Sequence, residues 1–102
     1  MVASFSIVPL GVGTEYKEYV AKILQVIDES GLPYRLGAMA TEIEGHWEEV
    51  MRVVKTAHDV GRGFSGRVLT HIAIDDREGF TGRLEGKVAD VEAVLGKKAR
   101  RE

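Results

Sequence analysis

The amino-acid sequence predicts an α+β sandwich in which two strand–helix–strand units share one antiparallel sheet. Short stretches that alternate apolar and polar residues, as half-buried strands do, take turns with longer stretches whose apolar residues recur at helical spacing. Glycine or proline separates most of these stretches. The order is strand, helix, strand, strand, helix, strand, which is the split βαβ pattern. A chain of 102 residues is long enough for one domain, residues 1–102.

The first strand and the first helix have the clearest patterns. Residues 2–10 (VASFSIVPL) alternate, so every second side chain would point to the same layer. An apolar stripe at helical spacing follows over residues 16–27, and Thr14 fits the N-cap of that helix. Gly31 and Pro33 predict the end of the helix, because glycine is common just past a helix and proline cannot continue one.

The middle of the chain predicts two short strands and a second helix. Residues 34–39 and 41–44 suit either a tight antiparallel hairpin or a single bent strand. A second apolar stripe then predicts a helix that begins near His46, reaches Val60 at the furthest and ends at Gly61. The next letters, GRGFSG, match the glycine spacing of dinucleotide-binding loops. They follow a helix instead of a strand, so a flexible connector is the better interpretation.

A last strand and a C-terminal helix complete the pattern. Residues 67–75 (RVLTHIAID) alternate, and apolar residues recur at three- and four-residue steps over residues 84–95. The prediction is a ferredoxin-like βαββαβ sandwich, both long helices on one sheet face, with an additional C-terminal helix. The opposite face is half apolar, so we expect the last helix or a second subunit of a homo-oligomer, dimer or tetramer, to cover it. That face comprises Ser4, Ser6, Val8, Leu69, His71 and Ala73.

Composition argues against several classes of protein. The net charge is −2, from 14 basic and 16 acidic residues, and a nucleic-acid-binding surface would usually need a basic excess. The lack of cysteine excludes disulfides and cysteine zinc sites. The N-terminus lacks the pattern of a signal peptide, and no apolar run approaches about 18 residues. We therefore expect a cytoplasmic protein that binds neither nucleic acid nor membrane.

The sequence contains no recognisable catalytic or metal-binding constellation. The histidines at positions 46, 58 and 71 form no short pair of the kind that binds zinc. No serine lies in the G-x-S-x-G turn that exposes a nucleophile. We expect no catalytic residue, no metal and no cofactor, and therefore not an enzyme.

The stretch LGAMATEIEGHW, residues 36–47, leaves three interpretations open. On a strand, Glu42 and Glu44 share one face, just before the single tryptophan, Trp47. The two carboxylates could be an acid–base pair, a solvated strand face, or the mouth of a pocket where a carboxylate accepts an amino proton and a ring stacks. The cluster IDDRE, residues 74–78, similarly fits either a polar ligand site or a solvated strand exit with an internal ion pair.

Taken together, these stretches resemble the thiamine-binding protein family. The resemblance rests on SIVPLG near the N-terminus, on SGL.Y.LG.M.T.IEG.W.EV in the middle, and on IDDR and L.GKV..V further on. It covers almost the whole chain. It implies a ferredoxin-like fold assembled into dimers or tetramers through sheet faces. It also implies pockets near subunit interfaces that bind thiamine or its hydroxymethylpyrimidine portion.

The residues that match the family's pattern include candidates for a ligand site, and the roles given to them follow from their chemistry. A carboxylate, Glu44 or Asp75, would accept the amino proton of the pyrimidine. Hydroxyl groups would add hydrogen bonds, while a methionine and the tryptophan would form apolar walls. The predicted set is Ser6, Met39, Thr41, Glu44, Trp47, Asp75 and Arg77.

The leading hypothesis from the sequence is a non-enzymatic binding protein for thiamine or a related pyrimidine, with the site at a subunit interface. The alternative is a structural or regulatory homo-oligomer that binds no vitamin. A third and weaker hypothesis is an enzyme of vitamin salvage that uses Glu42, Glu44 or His71 as a base.

Overall fold

The computed structural model describes residues 1–12, 16–79 and 81–100, and seven elements lie within these ranges. The predicted order of strands and helices is confirmed. The N-cap predicted at Thr14 lies outside the described residues. In chain order the elements are β1 (Val2–Pro9), α1 (Tyr16–Glu29), β2 (Tyr34–Leu36), β3 (Thr41–Glu44), α2 (Trp47–Phe64), β4 (Val68–Asp75) and α3 (Arg83–Leu95).

The four strands form one antiparallel sheet in the order β2–β3–β1–β4. This order is that of the ferredoxin-like sandwich, so the predicted fold class is confirmed. The β2–β3 hairpin closes where the Gly37 N–H donates to the Ala40 carbonyl at 3.0 Å. A Cβ at position 37 would lie 2.7 Å from that carbonyl oxygen, so this connection requires glycine. The second strand therefore stops at Leu36, three residues before the end predicted for it.

α1 and α2 cover one face of the sheet, which we call the helix face. The hydrophobic core lies between them and the sheet, and its largest fully buried side chains are Ile27, Ile43 and Val50. Burying one such side chain contributes roughly 1.5–3 kcal/mol, so this layer provides most of the stability of the fold. The other buried members of the core are Ala3, Phe5, Ile7, Ile23, Val53, Val54 and Ala57.

α2 is longer than predicted, because it continues through Gly61 to Phe64. The expectation that Gly61 ends the helix is therefore wrong, and residues 61–64 of the predicted connector belong to the helix. A Cβ at Gly61 would lie 3.0 Å from Cγ2 of Ile7, so glycine allows this turn of the helix to pack closely on the sheet. The close packing offsets the low helix propensity of glycine. Beyond the helix, the Ser65 hydroxyl contacts the Leu10 carbonyl and ties the helix end to β1.

α3 packs against the opposite face of the sheet, which we call the second face. Three polar contacts join them: the Arg83 N–H donates to a Glu44 oxygen, Lys87 pairs with Asp75, and Arg35 of β2 pairs with Glu85. All three sheet residues point away from the helix face, as the strand alternation requires. α3 therefore covers the part of the second face beside β3, and the residues predicted to need a cover lie mostly outside that part. Beside β4 the side chains of Val8 and Leu69 remain 41% exposed.

Candidate ligand site

The main cavity lies on the helix face, between α1, the start of β3 and the β2–β3 connection. Its volume is about 320 Å³. The buried side chains of Phe5, Ile23 and Ile27 contribute to its lining. Leu36 at the end of β2 and Met39 of the β2–β3 connection are exposed to solvent, and Met39 is 90% exposed. The cavity is therefore an apolar opening into the layer between sheet and helix, with the exposed, unbranched side chain of Met39 at its edge.

Aromatic rings and hydroxyl groups add specific contacts to this apolar lining. Tyr16 and Tyr19 come from the first turn of α1, and Thr41 is the first residue of β3. Ser6 of β1 also lines the cavity, but strand alternation directs its side-chain hydroxyl to the second face. The ring of Tyr19 packs edge-on against Phe64 of α2, with ring centroids 6.1 Å apart, which fixes its orientation. Every described residue that lines the cavity is uncharged. Such a lining suits a flat, weakly polar ring better than an anion.

A second, larger cleft of about 520 Å³ lies at the other end of β3. It is charged where the cavity is apolar. Its lining includes Glu44, His46, Glu49, Asp76 and Arg77. The cleft also contains the chain's amino group, which donates to the Gly45 carbonyl at 2.9 Å.

Two of the three glutamates that line this cleft, Glu44 and Glu49, already accept hydrogen bonds from helix N-termini. Glu44 accepts from the backbone N–H of Arg83, the first residue of α3, at 2.9 Å. Glu49 accepts from the backbone N–H of His46 at 3.2 Å, as part of the capping box of α2. A carboxylate at a helix N-terminus satisfies an otherwise unpaired N–H and interacts favourably with the helix dipole. Both glutamates therefore have a structural role that needs no ligand.

The predicted site residues fall into three groups. Ser6, Met39 and Thr41 line the cavity, and Glu44 and Arg77 line the cleft. The strand geometry separates these two groups: Thr41 points to the helix face, Glu44 points to the second face, and the two lie three residues apart, roughly 10 Å. One small ligand cannot contact both of these side chains within a single pocket.

The third group, Trp47 and Asp75, lines neither opening among the described residues. Trp47 is the first residue of α2 and is half exposed. Asp75 ends β4 and pairs with Lys87 of α3. The hydrogen bond from Lys87, helped by its charge, holds the pKa of the Asp75 carboxyl below its usual value. Asp75 therefore fastens α3 to the sheet.

The contribution of α1 to the cavity was not predicted from the sequence. Tyr16 and Tyr19 were assigned to the apolar stripe that packs on the core. Tyr19 does border the core, but Tyr16 is more than half exposed and both rings line the cavity. One signal was available: a stripe with two tyrosines on one helical turn carries hydroxyls that a fully buried position would have to satisfy.

The described residues contain neither a cluster that could bind a metal nor a helix that could span a membrane. No three His, Asp or Glu side chains in those ranges lie close enough together to hold a metal ion. His58 instead shares a hydrogen bond with Thr70 of β4, at 2.6 Å between Nδ1 and Oγ1, which joins α2 to the sheet. Within the same ranges, no helix combines the length and the apolar character needed to cross a bilayer.

The fold and the apolar cavity define a small ferredoxin-like protein with room for one ring-shaped ligand. Comparison with known proteins agrees with this class. The model of the family described as thiamine-binding protein matches residues 3–92. A UPF0045 protein of Mycobacterium bovis is 42% identical over 96 residues, which cover 93% of this chain and 94% of the relative.

Two solved structures share the fold. A hypothetical protein from Methanocaldococcus jannaschii superposes with a TM-score of 0.81 at 32% identity, over 88% of this chain and 93% of that one. A Thermotoga maritima protein assigned provisionally to thiamine biosynthesis or salvage superposes with a TM-score of 0.75 at 26% identity, over 88% and 96% of the two chains. The chain belongs to the thiamine-binding protein family.

Proposed function

We propose that this chain is a non-enzymatic binding protein for thiamine or a related hydroxymethylpyrimidine, and that the main cavity holds the pyrimidine ring. The observation that carries the proposal is the convergence of Met39 and Thr41 with Tyr16 and Tyr19 around one opening of about 320 Å³. This volume lies at the lower end of the range for small-molecule sites, roughly 300–1,000 Å³, which suits one ring better than a large cofactor. Membership of the family supports the choice of ligand class.

The chemistry of the lining divides the ligand into two parts. The flat pyrimidine enters the apolar layer, where the Tyr19 ring and Met39 provide the walls and the Thr41 hydroxyl provides a hydrogen bond. The cationic thiazolium stays at the mouth, where the exposed ring of Tyr16 offers a cation–π contact. These groups bind and orient a ligand, whereas turnover would require an acid and a base beside it. The proposed role is therefore to sequester or carry the vitamin.

Calorimetric titration of the purified chain with thiamine, and with hydroxymethylpyrimidine as a second titrant, tests the proposal. Saturable binding of either compound is expected. Thr41→Val removes a hydroxyl at nearly constant volume and should weaken binding by about 0.5–1.5 kcal/mol. Thr81→Val is the matched control, because Thr81 lines the charged cleft. No heat for either compound at several temperatures contradicts the proposal. A loss of affinity in Thr81→Val alone would indicate that the ligand binds in the cleft instead.

We further propose that the chain works as a homo-oligomer joined through the uncovered part of the second face. Val8 and Leu69 are cross-strand partners there, and each leaves 41% of its surface exposed. Their neighbours His71 and Ala73 are exposed as well, so this part of the face lacks the cover that α3 gives beside β3. Light scattering on the titration sample should give the mass of a dimer or tetramer. A monomer at all concentrations contradicts the assembly.

A further inference from the structure

The main chain of Ile7 faces the cavity, as the strand register shows. At the start of β1, Met1 and Gly45 exchange two main-chain hydrogen bonds, at 2.9 and 3.1 Å. In an antiparallel ladder, residues whose N–H and C=O point to a given neighbour alternate along the strand. The odd-numbered residues of β1 therefore direct these groups towards β3, as far as the last pair, Phe5 with Thr41.

The opposite edge of β1 gives the same result independently. The Leu10 N–H donates to the Arg67 carbonyl at 2.8 Å, so the even-numbered residues direct their N–H and C=O towards β4. Ile7 pairs with Thr70 in the β1–β4 register, but its main-chain groups point away from β4. They point to the β3 side of the sheet, at a position beyond Thr41, the first residue of β3.

β3 is too short to provide a main-chain partner for Ile7. The β1–β3 register would continue to Met39, but the chain leaves the sheet at the Gly37–Ala40 turn. Among the described residues, no main-chain hydrogen bond joins Ile7 to residues 37–40. Ile7, Met39 and Ala40 all line the cavity instead. Within the described part of the chain, one N–H donor and one C=O acceptor of Ile7 therefore lie side by side at an uncharged cavity with no main-chain partner.

We propose that this open main-chain pair of Ile7 is the recognition element of the cavity, and that it selects flat heterocycles in which a ring nitrogen adjoins an amino group. The ring nitrogen accepts the Ile7 N–H and the amino group donates to the Ile7 carbonyl, so both groups regain the partners that a strand would provide. A 4-aminopyrimidine presents this edge, while a carboxylate or phosphate would satisfy only the N–H and oppose the carbonyl. The inference rests on the proposed function and specifies which edge of the pyrimidine is recognised.

Hydrogen exchange of the full chain, followed residue by residue with NMR, tests the role of Ile7. In the free protein the Ile7 amide should exchange at least tenfold faster than the paired Phe5 amide. Saturating thiamine should slow the Ile7 amide at least tenfold and leave the Val8 amide, which pairs with β4, unchanged. In parallel, the 4-oxo analogue of thiamine should bind at least tenfold more weakly, because its ring nitrogen is a donor and its oxygen faces the Ile7 carbonyl.

The outcomes separate this inference from the proposed function. If thiamine binds saturably while the Ile7 exchange rate does not change, the function stands and the role of Ile7 is wrong. Equal affinity for thiamine and its 4-oxo analogue also overturns the inference. If neither thiamine nor hydroxymethylpyrimidine binds in calorimetry, the proposed function fails and the inference fails with it.

Discussion

The two ends of β3 differ in what their polar groups do. At the Glu44 end a large cleft is rich in charge, but Glu44 and Glu49 accept hydrogen bonds from the N-termini of helices. At the Thr41 end a smaller cavity is apolar, and the register leaves main-chain groups of β1 open towards it. This comparison indicates that charged side chains alone do not identify a binding site. Polar groups that still need a partner mark it better.

The largest expected effect comes from filling the cavity. Val20 of α1 is half buried and lines it, so Val20→Trp would place an indole in the space proposed for the pyrimidine. We expect thiamine affinity to fall at least tenfold, about 1.4 kcal/mol, in a calorimetric titration. Ala21→Trp is the matched control, because Ala21 is exposed and outside the lining. Equal affinities for the two variants would break the comparison between the two ends of β3.

A smaller effect is expected at the opposite end of the strand. Glu44→Ala removes the acceptor for the Arg83 N–H, and the loss of a helix cap costs about 1 kcal/mol. Urea unfolding should show this loss as a lower midpoint with a nearly constant slope. Glu42→Ala, on the same strand and face but exposed, should change stability by less than about 0.5 kcal/mol. Thiamine affinity should stay unchanged in both variants, and a tenfold loss in Glu44→Ala would return this carboxylate to the ligand site.

The smallest effect concerns pH and the pair that fastens α3. Lys87 holds the pKa of the Asp75 carboxyl below its value in the unfolded chain, so the pair stabilises the fold above the unfolded pKa of about 4. That contribution disappears as the pH falls through the folded pKa. Thermal unfolding between pH 6 and pH 3 should therefore be less pH-dependent for Asp75→Asn than for the wild-type chain, with Asp76→Asn as control. Because the pair is exposed, 0.5 M salt should shrink the difference, and an identical pH profile would contradict the role.

The fold was predictable because its signals are local. The period of two in residues 67–75 and the period of 3.6 in residues 16–27 determine which side chains can be buried together. The end of α2 was not predictable, since it depends on a tertiary contact. Gly61 is favourable inside the helix because Ile7 lies where a Cβ would otherwise be. No sequence pattern within the helix encodes that neighbour.

The candidate site was predictable only in part. The resemblance grouped Thr41 with Glu44, although strand alternation places their side chains on opposite faces of the sheet. The tyrosines of α1 carried a helical pattern that core packing explains equally well. The open main chain of Ile7 cannot be recognised from residue types, because it depends on β3 beginning only at Thr41. Such a site follows from register, which a single sequence specifies weakly.

A crystal structure of the chain with thiamine bound tests the central claim most directly. We expect density for the pyrimidine between α1 and the β2–β3 connection, with its amino edge within hydrogen-bond distance of the main chain of Ile7. Density in the cleft beside Glu44, or between subunits and away from Thr41, would contradict it.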